Sequence, residues 1–188
     1  VAEIYAVGIS GTKDFGGDYP AFVPLVPTGA DASAPHLTWD DKPLKVGEGS
    51  FFEIAGAHRR YQLPLCRTTF LGRPPDEMRR AEKAVLAGLE AGLNAARAGS
   101  RACDMARTFF SVMEDAGFHK EGRCGYPIGI SYPPDWGEQT YSLRPGDKTI
   151  LQENMSIHVL AAIWADNFGY EVSESVIVKE NGCEPLSN

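Results

Sequence analysis

The chain has 188 residues, enough for one domain with a hydrophobic core, and its 43% hydrophobic and 23% charged residues are ordinary for a globular protein. The formal net charge of -7 argues against nucleic acid or an anionic membrane as a general partner. No apolar run approaches the roughly 18 residues that a membrane helix needs, and no signal peptide is visible at the start.

The cysteines and the first residues bear on the cell compartment and on the extent of the chain. The four cysteines are far apart in sequence and form no C-x-x-C pair. Reduced thiols in a cytoplasmic protein are the simplest interpretation. The chain begins with VAEIYAVG, without Met, and this stretch reads like the tail of a helix. We therefore expect further sequence upstream.

The first half of the chain is predicted to consist of loops and strands. Gly8–Tyr19 is rich in glycine and reads as a loop. Ala21–Pro27 alternates apolar residues but is broken by prolines, which suits an edge strand. Phe51–Ala57 and Leu65–Leu71 are predicted strands, and His58–Pro64 is the predicted turn between them.

Two helices and two more strands are predicted next. Apolar spacings of three and four predict a helix over Asp76–Ala98, and Ser100 is a candidate cap for a second helix. Gly125–Glu138 is too rich in Gly, Pro and aromatic residues to be regular, whereas Met155–Trp164 and Gly169–Lys179 read as strands. Strand pairs flanking two helices predict an α+β fold, a curved antiparallel sheet with helices on one face.

Five segments, in order, resemble motifs of the pita-bread family, which includes methionine aminopeptidases, prolidases and creatinase. Pro24–His36 resembles the strand and loop that end in a substrate-contacting histidine, and Glu53–Gly72 resembles the D-x-G-x5-Y-x2-D-x3-R-T signature. Gly125–Gly129 stands where other members carry G-H-G-I-G, Asn154–Ala161 matches G-M-x3-E-P, and Ser173–Leu186 matches the final E-D-x-V strand. The resemblance covers the whole chain and implies the pita-bread fold.

The positions of the family's metal ligands depart from the pattern. Metal-dependent members hold two ions with Asp, Asp, His, Glu and Glu, and the matching residues here are Glu53, Pro64, Tyr126, Leu160 and Ser173. Proline and leucine have no donor atom, and tyrosine and serine are poor ligands for a divalent ion at neutral pH. We therefore expect neither metal nor cofactor. An unrelated metal site using His158, Glu171 or Glu174 stays the alternative.

Longer strings narrow the resemblance. Ser10–Asp41, Phe52–Thr68 and Gly125–Glu138 resemble a metal-free, creatinase-like branch whose members hydrolyse the cyclic amidine ectoine to N-acetyl-diaminobutyrate. The resemblance implies a cytoplasmic C–N hydrolase whose partner is a small zwitterionic cyclic amidine. It also implies that residues 1–188 are a C-terminal catalytic domain, shortened at its N-terminus and lacking the upstream creatinase-type domain, and that the full-length form is a homodimer.

Two residues are the predicted catalytic groups. Glu53 lies between apolar neighbours, where a carboxylate is costly unless it is paired. It is expected to attack the amidine carbon or to activate water, and a structural salt bridge to a nearby arginine is the alternative. His36, at the position of the family's substrate histidine, is expected to move protons.

The predicted substrate contacts are aromatic and charged. Tyr126, Tyr132 and Trp136 are expected to cover a flat cation by cation–π contact, unless they only pack an irregular loop. Glu138, with its near neighbour Asp135, is a candidate partner for the amidinium, unless both carboxylates contact only water.

Two further charged residues complete the predicted site. Glu171 shares a strand face with Ser173 and is ranked above Glu174 as a pocket residue. Arg67, or else Arg60, is the candidate cation for the substrate carboxylate.

Three other functions stay open at this point. The first is another creatinase-like amidine or guanidine hydrolase. The second is a non-catalytic module that binds ectoine-like zwitterions. The third, a metal-dependent X-Pro peptidase, is disfavoured by Pro64 and Leu160.

Overall fold

The computed structural model describes residues 1–37, 40–120 and 122–187. Thr38 and Trp39, part of the string Ser10–Asp41, lie outside these residues. The helices and strands are α1 (Ala2–Ser10), β1 (Gly49–His58), β2 (Tyr61–Phe70), α2 (Asp76–Ala95), α3 (Ala102–Asp115), β3 (Gly125–Pro127), β4 (Ser156–Trp164), β5 (Gly169–Lys179) and β6 (Gly182–Pro185). Within the described part, no helix is long and apolar enough to cross a membrane.

The strands β1 and β2 form an antiparallel hairpin with a two-residue turn at Arg59 and Arg60. Both turn residues have positive φ, 49° and 68°, as tight hairpin turns require. The expected longer turn over His58–Pro64 is therefore wrong. Pro64 is paired with Ala55 inside β2, and the register places Glu53 opposite Cys66.

The other four strands form one antiparallel sheet in the order β3-β4-β5-β6. Alternation along β4 and β5 gives this sheet two different faces. One face is apolar and packs on α2, which packs in turn on α3, and together they form the main core around Phe109, Met105 and Val159. The other face carries buried polar residues, including His158, Glu171, Ser173 and Ser175.

The strands β2 and β5 belong to different sheets and are joined by hydrogen bonds that involve side chains, which we call the seam between the sheets. The Ser173 hydroxyl accepts from the Cys66 N–H at 2.7 Å, and the Ser175 hydroxyl donates to the Pro64 carbonyl at 2.6 Å. The Thr68 hydroxyl donates to the Glu171 carbonyl at 2.7 Å and accepts from its N–H at 2.8 Å. Ser173, which stands at a metal-ligand position of the family, thus has a structural role in this seam.

The predicted α+β class, with antiparallel strands and helices on one face, is confirmed. The edge strand expected over Ala21–Pro27 is wrong, because its prolines lack an N–H and leave only isolated bridges from Leu25 to Glu53 and from Thr28 to Ser50. The Leu25 bridge has two 2.9 Å hydrogen bonds, which hold the backbone of Glu53.

Both predicted helices differ from the structure at one end. The first ends at Ala95 rather than Ala98. The second begins at Ala102, with Arg101 at its N-cap, so the expected Ser100 cap is wrong. The reason is local pairing: the Ser100 carbonyl accepts from Leu151 at 2.8 Å, which keeps this segment extended before the helix begins.

Candidate active site

A small cavity lies against the polar face of the four-stranded sheet. Its volume is about 200 Å³, below the roughly 300–1,000 Å³ of pockets for drug-sized ligands. It therefore suits a compact molecule better than a peptide. Its lining consists of charged and aromatic side chains with two apolar neighbours: Phe22, Pro35, His36, Glu53, Lys120, Arg123, Tyr126, Asp135, Leu160, Trp164 and Glu171.

Glu53 reaches this cavity from the middle of β1. Only 2% of the residue is exposed. Burial raises the pKa of its carboxyl well above the ordinary value, and the negative charges of Glu171 and Asp135 raise it further. Glu53 is therefore a buried carboxyl whose ionised form becomes favourable when a cation enters the cavity.

Glu171 enters the same cavity from β5. Neither carboxylate oxygen has a hydrogen-bond partner among the described residues. Burial raises the pKa of Glu171 to about 7, and the positive charge of Lys120 opposes that rise. Both carboxyls are buried and line the same cavity, so ionising both would place two negative charges near each other. The pair Glu53 and Glu171 therefore retains a proton near neutral pH.

His36 stands at the mouth of the cavity, with 56% of its side chain exposed. Its Nε2 lies 4.0 Å from Oε2 of Glu53, and its ring packs 5.5 Å from that of Phe22. Partial burial lowers its pKa from 6.5, which favours the neutral imidazole at neutral pH. A neutral imidazole beside a buried carboxyl can accept a proton and pass it on.

The backbone at His36 is in the left-handed region, with φ 61°. The preceding loop packs on the start of β5, where the Ala32 carbonyl occupies the space that a side chain at Gly169 would need. This close approach holds the loop, and with it His36, against the sheet.

Tyr126 lines the cavity from β3, and its hydroxyl belongs to a buried hydrogen-bond network. Trp136 Nε1–H donates to this oxygen at 2.7 Å, and Nδ1 of His158 lies 2.9 Å from it. The Trp136 ring also packs edge-on against Phe22 at 4.9 Å. Trp136 thus contacts two residues of the lining, Tyr126 and Phe22, without lining the cavity itself.

Two cations in the lining, Lys120 and Arg123, were missed by the sequence reasoning. Lys120 is 7% exposed, and its Nζ lies 4.2 Å from the centre of the Trp164 ring. Burial lowers its pKa to about 8, so it remains largely charged at neutral pH. The Arg123 guanidinium lies 4.3 Å from the centre of the Tyr126 ring. The basic segment HKEGR, one residue before the GYPIG motif, is the sequence signal that could have pointed to them.

Four residues predicted for the site, Glu53, His36, Tyr126 and Glu171, are brought together in this lining. Trp136 is buried behind it. The other three predicted substrate contacts, Tyr132, Glu138 and Arg67, do not line the cavity.

Tyr132 and Glu138 lie outside the cavity lining because of the path of their loop. Tyr132 is exposed and contacts the Arg60 guanidinium. The N–H of Glu138 donates to Pro127, which turns its side chain over Gly129, so its near neighbour Asp135 reaches the cavity instead. This difference follows from the loop path, which spacing alone does not give.

The two arginines considered for the substrate carboxylate are engaged elsewhere. Arg67 pairs with Glu174 and donates to the carbonyls of Cys66 and Ser173. Arg60 donates to the carbonyls of Tyr19 and Ser131. Their contacts stabilise loops and the seam between the sheets.

The residues present do not fit the two-metal site that the pita-bread family implies. Of the five ligand positions, Pro64 and Leu160 have no side-chain donor, and the Ser173 hydroxyl is bonded in the seam. The Tyr126 hydroxyl is held by two neighbours. Among the residues that the structure describes, no group of three or more His, Cys, Asp or Glu side chains is placed to hold a metal ion.

Comparison with known proteins agrees with this architecture. The chain is 55% identical over 194 residues to an ectoine hydrolase of Halomonas elongata, an alignment that covers 100% of this chain and 49% of that protein. It is 34% identical to the uncharacterized hydrolase/peptidase y4tM of Sinorhizobium fredii, over 99% of this chain and 47% of the relative. The chain spans about half the length of the curated relatives it matches.

Solved structures show the same fold. The prolidase from Pyrococcus furiosus superposes with a TM-score of 0.85 at 22% identity, covering 92% of this chain and 51% of the prolidase. The prolidase from Thermococcus sibiricus gives 0.83 at 22% identity, over 94% and 47% of the two chains. Residues 2–180 match metallopeptidase family M24. The chain therefore belongs to the M24 family of pita-bread hydrolases, although its residues at the family's metal positions have changed.

Proposed function

We propose that this chain is the catalytic domain of a hydrolase that opens the cyclic amidine ring of ectoine without a metal ion. The observation that carries the proposal is the meeting of Glu53, Glu171 and His36 at one cavity of about 200 Å³. The 55% identity to an ectoine hydrolase supports the choice of substrate.

The reaction adds one water to the ring. A C–O bond forms at the amidine carbon, one ring C–N bond breaks, and both water protons end on the released nitrogen, which becomes an ammonium group. Glu53 either takes a proton from the attacking water or adds its own oxygen to the carbon before water releases the product. His36, near Oε2 of Glu53, returns protons to the leaving nitrogen.

The charges of the cavity match both ends of this zwitterion. Glu53, Glu171 and Asp135 attract the amidinium, and Lys120 and Arg123 are placed to bind the carboxylate. Binding the amidinium also favours ionisation of the Glu53–Glu171 pair, because it supplies the missing positive charge. The substrate therefore promotes ionisation of the carboxylate that acts on it, as base or as nucleophile.

Metal independence rests on the donor set. An amidinium carbon is already electrophilic, since its charge is delocalised over two nitrogens, and it needs no Lewis acid to accept a nucleophile. Pro64 and Leu160 remove two of the five ligands that a two-metal site requires. Buried carboxyls and an imidazole are sufficient for the proton transfers.

The proposal extends to the whole protein. We expect residues 1–188 to act as the C-terminal catalytic domain of a longer, cytoplasmic polypeptide that forms a homodimer. The length of the relatives, about twice that of this chain, supports the longer polypeptide. The four cysteines are free thiols, as suits a reducing compartment.

A substrate panel tests this function. The longest polypeptide that contains the chain is incubated with ectoine, a carboxyl-free cyclic amidine of the same ring, creatine and an Ala-Pro dipeptide, and products are followed by proton NMR. We expect ectoine to be preferred, with kcat/KM for the carboxyl-free ring lower by about 10–100-fold, because a charged hydrogen-bond partner contributes about 1.5–3 kcal/mol. Faster turnover of creatine or of the dipeptide, or binding of ectoine without turnover, would refute the proposal.

A further inference from the structure

The hydroxyl of Tyr126, a residue of the cavity lining, has two buried hydrogen-bond contacts. Trp136 can only donate, so the Tyr126 oxygen accepts that 2.7 Å hydrogen bond. The second contact, to Nδ1 of His158 at 2.9 Å, has two possible directions. If Tyr126 donates to His158, its proton is taken up by that hydrogen bond. If His158 donates to Tyr126, the Tyr126 proton is free to bond elsewhere.

The protonation state of His158 limits the choice to two tautomers. The residue is fully buried, and burial lowers its pKa to about 3, so it is neutral near pH 7. Its Nε2 has no hydrogen-bond partner among the described residues. If Nε2 carried the proton, a buried N–H would be left unpaired.

The other tautomer leaves a smaller penalty. With the proton on Nδ1, His158 donates to Tyr126, and only the lone pair of Nε2 stays unpaired. Orphaned buried N–H groups are rarer than under-satisfied acceptors, which favours this arrangement. Tyr126 then accepts two hydrogen bonds, and its own proton must point away from Trp136 and His158. Tyr126 lines the cavity, and the charge of Glu53 in the same lining acts on its phenol, so we assign the free direction of the proton to the cavity side.

We propose that Tyr126 is a hydroxyl donor fixed towards the substrate by Trp136 and His158, and that it stabilises the oxygen that bonds to the amidine carbon. This inference rests on the proposed hydrolase function. Tyr126 stands where the family carries a metal-binding histidine, so a polarised O–H occupies the place of a metal ligand. As charge develops on the added oxygen, whether it comes from water or from Glu53, the hydrogen bond strengthens.

The environment of Tyr126 suits hydrogen-bond donation rather than proton transfer. Burial and the negative charge of Glu53 raise the pKa of its phenol. The hydroxyl therefore keeps its proton throughout the reaction and acts as a fixed dipole, and the proton transfers remain with Glu53 and His36. Trp136 and His158 are positioning residues, because they act on the substrate only through Tyr126.

Two measurements test this assignment. The first replaces Tyr126→Phe, with Tyr141→Phe as the matched control, since Tyr141 also has a buried hydroxyl but does not line the cavity. We expect Tyr126→Phe to lower kcat for ectoine by about 10²-fold with a small change in KM, as for the loss of one oxyanion donor. Tyr141→Phe should leave kcat unchanged.

The second measurement reads the His158 tautomer in the wild-type protein by ¹⁵N NMR of labelled histidine, without any turnover. We expect the proton on Nδ1. A proton on Nε2, or an unchanged kcat in Tyr126→Phe, would overturn the inference. If the wild-type protein failed to open ectoine, the proposed function would fall, whereas the tautomer would still decide the direction of the Tyr126 hydroxyl.

Discussion

Replacing Glu53→Gln is expected to lower the rate of ectoine ring opening by about 10²–10⁴-fold, the range for loss of a general base. Glutamine keeps the size of the side chain, but it can neither take a proton from water nor add an oxygen anion to carbon. Because Glu53 is buried at the cavity wall, no solvent-borne carboxylate replaces it. The assay is the initial rate of product formation followed by proton NMR.

The matched control is Glu90→Gln, on an exposed position of α2, which should leave the rate unchanged. Circular dichroism and a thermal melt establish that both variants are folded. Retention of more than about a tenth of the wild-type rate in a folded Glu53→Gln protein would remove Glu53 from its proposed role.

The second large effect is on stability. We compare the free energy of unfolding of the Glu171→Gln protein with that of the wild type. The difference should be about 2–3 kcal/mol more in favour of the variant at pH 8 than at pH 4.5. The pKa of Glu171 is raised from 4.5 to about 7, with burial as the main cause. Well below pH 4.5 the carboxyl is protonated in both states, so its ionisation does not affect the free energy of unfolding.

Between pH 4.5 and 7 the unfolded chain loses the Glu171 proton while the folded chain retains it, so the contribution of Glu171 to wild-type stability falls as the pH rises. Glutamine removes the Glu171 contribution, so the difference in free energy of unfolding between the two proteins isolates it. Chemical denaturation at several pH values measures the difference, with Glu90→Gln as a control whose difference should be flat. A pH-independent difference for Glu171→Gln would show that Glu171 is not held in its protonated form.

The strand-borne part of the site could be predicted from the sequence, because alternation fixes which face a side chain occupies. Glu171 shares a face with Ser173 on β5, and Glu53 lies between two apolar neighbours on β1; both reach the cavity. The loop-borne part could not be predicted from spacing. Asp135 rather than Glu138 enters the cavity, because backbone pairing of the loop with β3 sets the direction of each side chain.

In the fold as well, regular elements were predicted better than segments whose conformation depends on long-range contacts. The long, regular β5 was predicted at its observed bounds, Gly169–Lys179, because most of its apolar residues lie at even spacings on one strand face and a turn precedes it. Where long-range pairing competes with local preference, prediction was wrong: Ser100 is a good cap by type but is held extended by Leu151. Lys120 was overlooked because sequence alone does not show that a lysine near a helix end is buried against Trp164.

The measurement that most directly tests the central claim is proton NMR of ectoine incubated with the longest polypeptide that contains this chain, after dialysis against a strong chelator and in its continued presence. The account predicts that ectoine signals are replaced by those of an N-acetylated diaminobutyrate at a rate that the chelator does not change. Loss of turnover in the chelator, with recovery on adding Mn²⁺ or Zn²⁺, would contradict a metal-free mechanism built on Glu53, Glu171 and His36.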